Sequence, residues 1–293
     1  FNPAFEAATE ALGWNLEIIS VASFEPGAAF LQALDLGADH IAITGTPPAL
    51  VADQIEAAKE AGVGIYMCYE TTDPDPEVNN IFMQCSDEAS VFNAGQVLSN
   101  KIIVESGGTA NVLMVNIPDF PVLVSEREGS QAAYDENCPG CTFSELAVTL
   151  DQLFAGDVPG AIVSALQADP DIDWIHIAFD AMSTGILDTL EEADLLDRVK
   201  VAGVDLDPSV LPDIIDGRYE FWTTNPIWYA SWLMVDGMAR TSVGQDVPQE
   251  DRAVLPTFIV ETPEQAQALQ ETAGEWPGPE GYEDQFKALW GVG

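Results

Sequence analysis

The chain is expected to fold as an α/β protein built on parallel sheets, and three features of its sequence carry that expectation. Short apolar runs alternate along its length with segments of helical periodicity. The runs are apolar on successive residues, as strands covered on both faces require. Residues 170–206, PDIDWIHIAFDAMSTGILDTLEEADLLDRVKVAGVDLD, show one whole unit. Trp174 to Phe179 reads as a strand ending at Asp180; Met182, Ile186, Leu187 and Leu190 fall at helical spacing; Val199 to Val204 is the next strand, ending at Asp205. Two carboxylates thus stand just past the carboxyl ends of neighbouring strands, where open parallel sheets hold their ligands.

The other elements follow in order. Residues 5–12 form an Ala-rich helix stopped at Gly13, and residues 16–21 a strand. A helix over 26–36 leads to a strand at 40–44, and Thr46-Pro47-Pro48 opens a helix running through Gly62. Strands at 64–68 and 81–85 flank the polar loop 71–80, and a helix spans 88–104, with Asp87 as its cap. Then come strand 111–116, helix 124–134, strand 143–149 and helix 159–168. Beyond Asp205 lie a short helix to Ile215, a strand at 219–224, a helix over 227–241, and an extended stretch at 253–260. The remainder reads as a Pro/Gly-rich tail. About ten such units exceed one ordinary sheet, so two similar lobes are expected, with a break at Gly107-Gly108.

Composition sets limits. With 47% hydrophobic residues in 293 the chain has enough apolar material for two cores. Nine Lys and Arg against 49 Asp and Glu give a net charge of -40, which argues against nucleic acid or an anionic membrane surface as partner. No apolar run reaches the length of a membrane span. A leader is expected to have been removed, since Phe1 is not a natural start.

The four cysteines fall into two pairs. Cys138-Pro-Gly-Cys141 has turn chemistry at its centre that brings the thiols together, and Cys68 and Cys85 end successive strands. Two structural disulfides are expected, and with them an exported protein. Zinc is disfavoured because a second CxxC is missing and only two histidines exist. The spacing Asp169-x-Asp171-x-Asp173 imitates a calcium loop, but Trp174 stands where glycine is needed. No nucleophile elbow, phosphate-cradling glycine loop or two-histidine metal motif occurs, so neither a catalyst nor a cofactor is expected. His176, in mid-strand, is expected to be a satisfied core residue.

An ordered set of segments resembles the type I periplasmic binding proteins of sugar-type ABC transporters. Residues 7–13, AATEALG, are similar to the end of that family's first helix. Residues 36–43, LGADHIAI, resemble its "G-x-D-x-I-x-I" strand, and residues 58–65 its "A-x-x-A-G-I-P-V". Ser86-Asp87, Arg127-Glu128-Gly129, residues 170–185, Gly203-Val204-Asp205 and Asn225-Pro226 match later elements in the right order. The chain begins inside what resembles the first helix, so the family's first strand has no counterpart in it.

The resemblance implies two doubly wound lobes, 1–107 with 226–252 and 108–225 with 253–293, joined by a three-segment hinge near Gly107, Asn225 and Ala253. It implies a small polar ligand, a sugar, polyol or related molecule, captured between the lobes and handed to ABC permease subunits. It also implies a monomer outside the cytoplasm, periplasmic or lipid-anchored. Candidate contacts are Tyr69, Glu70, Phe179, Asp180, Asp205, Thr224 and Asn225 from strand ends, Phe154 and Trp228 as aromatic walls, and Arg127 for an anionic group. Tyr69-Glu70 stands where the family carries Asp-Arg, Phe179 where it carries Asn, and Val124 where it carries a pocket arginine. These changes weigh against the usual pyranose or furanose. Two rival readings are the sensing domain of a LacI-type regulator, against which the acidity and the cysteines speak, and an enzyme using Asp180 and Asp205 as an acid–base pair.

Overall fold

The computed structural model describes residues 2–20, 25–248, 255–272, 276 and 278–293. The chain divides into two compact units: Phe1–Glu88, Pro226–Leu255 and Pro277–Gly293 form one, and Ala89–Asn225 with Pro256–Trp276 the other.

The first unit contains α1 (Asn2–Leu12), α2 (Pro26–Asp35), β1 (His40–Thr44), α3 (Ala52–Ala61), β2 (Gly64–Cys68) and β3 (Ile81–Cys85). Its three strands make a parallel sheet in the order β1-β2-β3. Every residue of β2 is buried, and its side chains alternate between two cores. Ile65 and Met67 join Phe30, Val51, Ile55 and Ala58 of the α2–α3 layer. Tyr66 and Cys68 join a cluster that includes Phe5, Ala8, Trp232 and Phe286.

The second unit starts within α4 (Glu88–Glu105) and continues through β4 (Asn111–Asn116), α5 (Pro121–Asn137), β5 (Thr142–Ala147), α6 (Leu150–Ala155), α7 (Val158–Ala168) and β6 (Trp174–Ile177). Then follow α8 (Ile186–Glu192), β7 (Lys200–Gly203), α9 (Leu211–Ile215) and β8 (Phe221–Thr224). The chain next supplies α10 (Ile227–Ser242) to the first unit, and β9 (Phe258–Val260) and α11 (Pro263–Gln270) to the second. It ends with α12 (Tyr282–Trp290) in the first. The sheet order is β5-β4-β6-β7-β8-β9, parallel except for β9, which runs antiparallel at the edge. The α/β parallel-sheet class is therefore as expected.

Four differences from the expectation have physical reasons. Residues 16–20 form no strand; a strand persists through its ladder, and no described segment pairs with this one, leaving Leu16 and Ile18 exposed. The end of that expected strand, Val21, lies outside the described residues, as do the hinge position Ala253 and the boundary at 252–253. The first boundary falls at Glu88, not Gly107, because Ala94, Leu98 and Ile102 of α4 pack with Val112, Trp174 and Phe221. Residues 277–293 belong to the first unit, so the chain passes between units four times and not three. The reason lies in α12, which inserts Tyr282 and Phe286 beside Trp232 and stacks Trp290 on it. Finally, the supposed tail contains two helices. Thr262 and Gln265 cap α11 reciprocally, and the aromatic stripe of α12 gives it a buried face.

The crossing of α4 and α5 uses two glycines. A Cβ at Gly95 would overlap the carbonyl oxygen of Glu126, and one at Gly129 would overlap that of Phe92. Gly95→Ala or Gly129→Ala must spread the helices, at a cost of about 1–3 kcal/mol each, readable as a lower denaturant midpoint. Both expected disulfides, Cys68–Cys85 and Cys138–Cys141, are formed. Cys68–Cys85 spans 17 positions, so its removal by Cys85→Ala with Cys68→Ala is expected to cost about 3 kcal/mol. Cys138–Cys141 spans 3 positions and its loss should cost less; an equal or larger loss there would contradict the loop-closure argument.

Candidate ligand-binding site

In both units the strand-end turns carry backbone strain. Five described residues other than glycine have φ in the left-handed region, and three of them, Tyr69 (57°), Ser86 (52°) and Asp205 (57°), stand one or two positions beyond β2, β3 and β7. Such geometry costs about 1–2 kcal/mol for a side-chain-bearing residue, and in native proteins it concentrates where function demands it.

At the carboxyl edge of the first unit's sheet, Cys68 and Cys85 face each other in register and are bonded. Each is followed by one of the left-handed residues. The backbone amide of Tyr69 donates to the carbonyl of Cys85 at 3.1 Å, so the turn is an extension of the ladder. Glu70 follows, turned inward and 1% exposed. Gln84 donates its side-chain amide to the Glu70 carbonyl, which fixes the backbone. The Glu70 carboxyl oxygens are shut from solvent without a well-aligned partner. Burial pushes this carboxyl up to about 7, offset only by a contact with the Thr71 backbone amide. Trp228, in the first turn of α10, and Tyr69 both pack partly buried against the same apolar cluster.

The second unit gathers its acids at the ends of β6 and β7. Asp180 opens a 3-10 turn, Asp180–Ser183, and does not cap α8, whose N-cap is Gly185. Its carboxyl is pushed up to about 7, first by burial and then by the charges of Asp205 and Asp207, against a favourable contact with the Ala181 amide. Asp205 is pushed up to about 6 by burial. Asp180 and Asp205 are thus brought together, with half-buried Phe179 beside them in sequence.

Behind them lies a pair that sequence reasoning missed in part. His176 of β6, buried as expected, is 3.0 Å through Nε2 from Oε1 of Glu126 on α5. Both side chains are fully enclosed. Burial holds His176 down at about 3 and raises Glu126 well above the carboxylate range, with the Asp205 charge adding to the rise. Burial thus disfavours the charged form of both partners. The other Glu126 oxygen has no hydrogen-bond partner. Glu126 lies on the buried face of α5 with Val122, Leu123, Gly129 and Ala133 but also Ser125, Ser130 and Tyr134, so the sequence around it carries no clear signal of an enclosed acid.

The remaining candidates are placed as follows. Thr224 and Asn225 end β8 and are buried; the Asn225 side-chain oxygen accepts from the Thr257 hydroxyl at 3.2 Å. Arg127 donates to Glu145 at 3.0 Å, and Asn116 donates to the same carboxylate at 2.9 Å. Phe154 is 64% exposed on α6. In the calcium-like run, Asp169 accepts from the Asp171 amide and Asp173 from the Asn111 amide, so two of the three carboxylates serve turns and sheet. Among the described residues no group of three or more His, Cys, Asp or Glu side chains could hold a metal ion. No helix among them is long and apolar enough to cross a membrane.

Comparison with known proteins gives these features a family. No curated protein matches the chain. Solved structures of similar fold are many. A solute-binding protein of an ABC transporter from Actinobacillus succinogenes 130z with bound D-allose has TM-score 0.76 and 18% identity, over 91% of this chain and 93% of that one. A carbohydrate transporter protein from Acidothermus cellulolyticus 11B with myo-inositol has TM-score 0.74 and 17% identity, over 93% and 91%. The 5-methylthioribose solute-binding protein from Thermotoga lettingae TMO has TM-score 0.73 and 16% identity, over 98% and 91%. Identities this low establish the fold and leave the ligand to be argued. The model of the periplasmic binding protein domain matches residues 1–246, most of the sequence, and with the sheets and strand-end turns described above it identifies the chain as a member of the periplasmic binding protein family.

Proposed function

We propose that the chain is an extracytoplasmic solute-binding protein that captures a small polyhydroxylated molecule and delivers it to the permease of an ABC transporter, acting as a monomer and without chemical change to the ligand. The observation that carries this reading is the concentration of inward-turned polar groups on strained turns at the carboxyl ends of both parallel sheets. The three similar proteins described above hold D-allose, myo-inositol and 5-methylthioribose, all small molecules rich in hydroxyls. The two disulfides suit an oxidising compartment.

In this reading Asp180 and Asp205 accept hydrogen bonds from ligand hydroxyls. Tyr69, Phe179 and Trp228 offer aromatic faces to C–H surfaces, and Glu70, Thr224 and Asn225 complete the polar set. Arg127, occupied by Glu145, and Phe154, on the surface, are not needed for it. A DNA-linked sensor is disfavoured by the charge of -40.

Two measurements test the reading. A thermal-shift screen against sugars, polyols, sugar acids and nucleosides should produce a hit; ligand at a hundred times Kd adds about 2.7 kcal/mol, roughly 5 °C or more in Tm. The hit should leave the compound intact by mass, and turnover would argue for an enzyme.

The second is the pH dependence of the unliganded protein. Glu70, Asp180 and Asp205 have folded pKa values near 7, 7 and 6, above those of the unfolded chain. The folded state therefore binds more protons, and this stabilisation is complete at low pH and lost as pH rises through 6–7. His176 has the opposite sign: its pKa falls from 6.5 to about 3 on folding, and burial lowers His40 as well, so both oppose the fold as pH falls through about 6.5. Between about pH 8 and pH 7 both imidazoles are mostly neutral in either state and the carboxyls dominate, so Tm should rise on acidification, with a shallower slope in Asp180→Asn. A flat or falling Tm in that window would refute the protonation pattern.

A further inference from the structure

We propose that the first unit carries a ligand site apart from its strand ends, between α10, α12 and β3, and that its ligand is a small apolar or aromatic carboxylate. This site lies within the first unit alone and is independent of the solute-binding reading.

A cavity of about 430 Å³ opens in that unit, within the roughly 300–1,000 Å³ usual for small-molecule sites. Its apolar lining comes from Met83 of β3, Tyr229 and Leu233 of α10, and Tyr282, Phe286 and Leu289 of α12. The aromatic rings stand at angles to one another and so offer both faces and edges to a guest. Tyr229 meets Tyr282 edge-on at 5.4 Å and tilts against Phe286 at 5.9 Å. The floor is closely packed. Gly237 sits so near β3 that a Cβ there would come within 2.7 Å of the Met83 sulfur, and Trp290 of α12 stacks on Trp232 of α10 at 5.3 Å. Among the described residues that line the cavity are none of the solute candidates Tyr69, Glu70 and Trp228.

The polar lining decides the ligand class. Asp236, Arg240 and Gln285 share the cavity. Asp236 is buried and both its oxygens are engaged: Oδ2 accepts from Arg240 Nε at 2.6 Å, and Oδ1 accepts from Trp290 Nε1 at 2.8 Å. It is therefore poorly placed to receive an ammonium, which needs acceptors. Arg240 is anchored through Nε, and its two Nη groups match the paired oxygens of a carboxylate. Gln285 adds an amide donor. Apolar walls beside an anchored guanidinium suit a molecule with an apolar body and a single carboxylate. A sugar would set hydroxyls against Met83, Leu233 and Leu289, whose side chains offer them no hydrogen bond.

The test uses the purified full chain and two matched sets of probes: phenylacetate, 2-phenylethanol and 2-phenylethylamine, and indole-3-acetate, tryptophol and tryptamine. Affinities are read by titration calorimetry, and the place of binding by the NMR signal of the Met83 methyl group, assigned with Met83→Leu. In at least one set the acid should bind at least tenfold more tightly than its alcohol and its amine, and should move the Met83 signal. Arg240→Gln should cut that preference to less than threefold. Leu289→Trp, at a side chain 60% exposed, should weaken every member of the set by narrowing the cavity. Should Arg240→Gln fail to fold, the comparison of acid with alcohol on the native protein still decides the class. Equal or tighter binding of the alcohol or the amine overturns the carboxylate class. Binding of no probe, or binding that leaves the Met83 signal unmoved, overturns the site.

Discussion

The close approach of α4 and α5 is the constraint on which the second unit's chemistry depends. Gly95 and Gly129 let the two helix backbones meet without intervening side chains, and Ser130 donates across the crossing to the Gly95 carbonyl at 3.3 Å. Seated this deeply, α5 carries Glu126 out of reach of water, and among the described residues His176 is its hydrogen-bond partner. Helix packing, reached through two absent side chains, thereby encloses a carboxyl whose pKa burial raises and on which the charge of Asp205 acts.

The first unit arrives at a similar edge by covalent means. The Cys68–Cys85 bond ties β2 to β3 at their last residues, and the left-handed residues Tyr69 and Ser86 follow at once. Two adjacent strained turns could relax by fraying the ladder. The cystine holds the strands in register immediately before the strain, and the Gln84 side chain holds the Glu70 carbonyl just after it. The disulfide thus has a local role in presenting Tyr69 and Glu70, in addition to restricting the unfolded chain.

Much of this was legible in the sequence, and the exceptions share a cause. The strands at 64–68, 81–85 and 111–116 were readable because burial on both faces forces uninterrupted apolar runs, whereas the edge strand 40–44 is only partly buried. Residues 16–20 carry a similar pattern and form no strand, since pattern specifies a face and cannot supply a neighbour. The assignment of α4 to the second unit and α12 to the first rests on long-range packing of Leu98, Ile102, Phe286 and Trp290, which no local window contains. At the site, the positions of Asp180 and Asp205 could be read from strand ends. Their nearness followed from the neighbouring strands of one βαβ unit, whereas the inward turn of Glu70 and the partnership of Glu126 with His176 could not be read, because each depends on segments distant in sequence.

The chain's overall acidity and the acidity of its strand ends are separate physical facts. The charge of -40 is spread over a solvated surface, where salt screens it within about 8 Å, so it acts mainly on solubility and on which surfaces the protein avoids. Glu70, Asp180 and Asp205 are withdrawn from water, and their interactions are correspondingly stronger and less screened. Surface acids meet the few basic residues in ordinary exposed pairs worth little each. Among the described residues the strand-end acids form no ion pair with a lysine or arginine. In an excess of surface carboxylates a few more would be unremarkable; these three differ because burial raises the pKa of each.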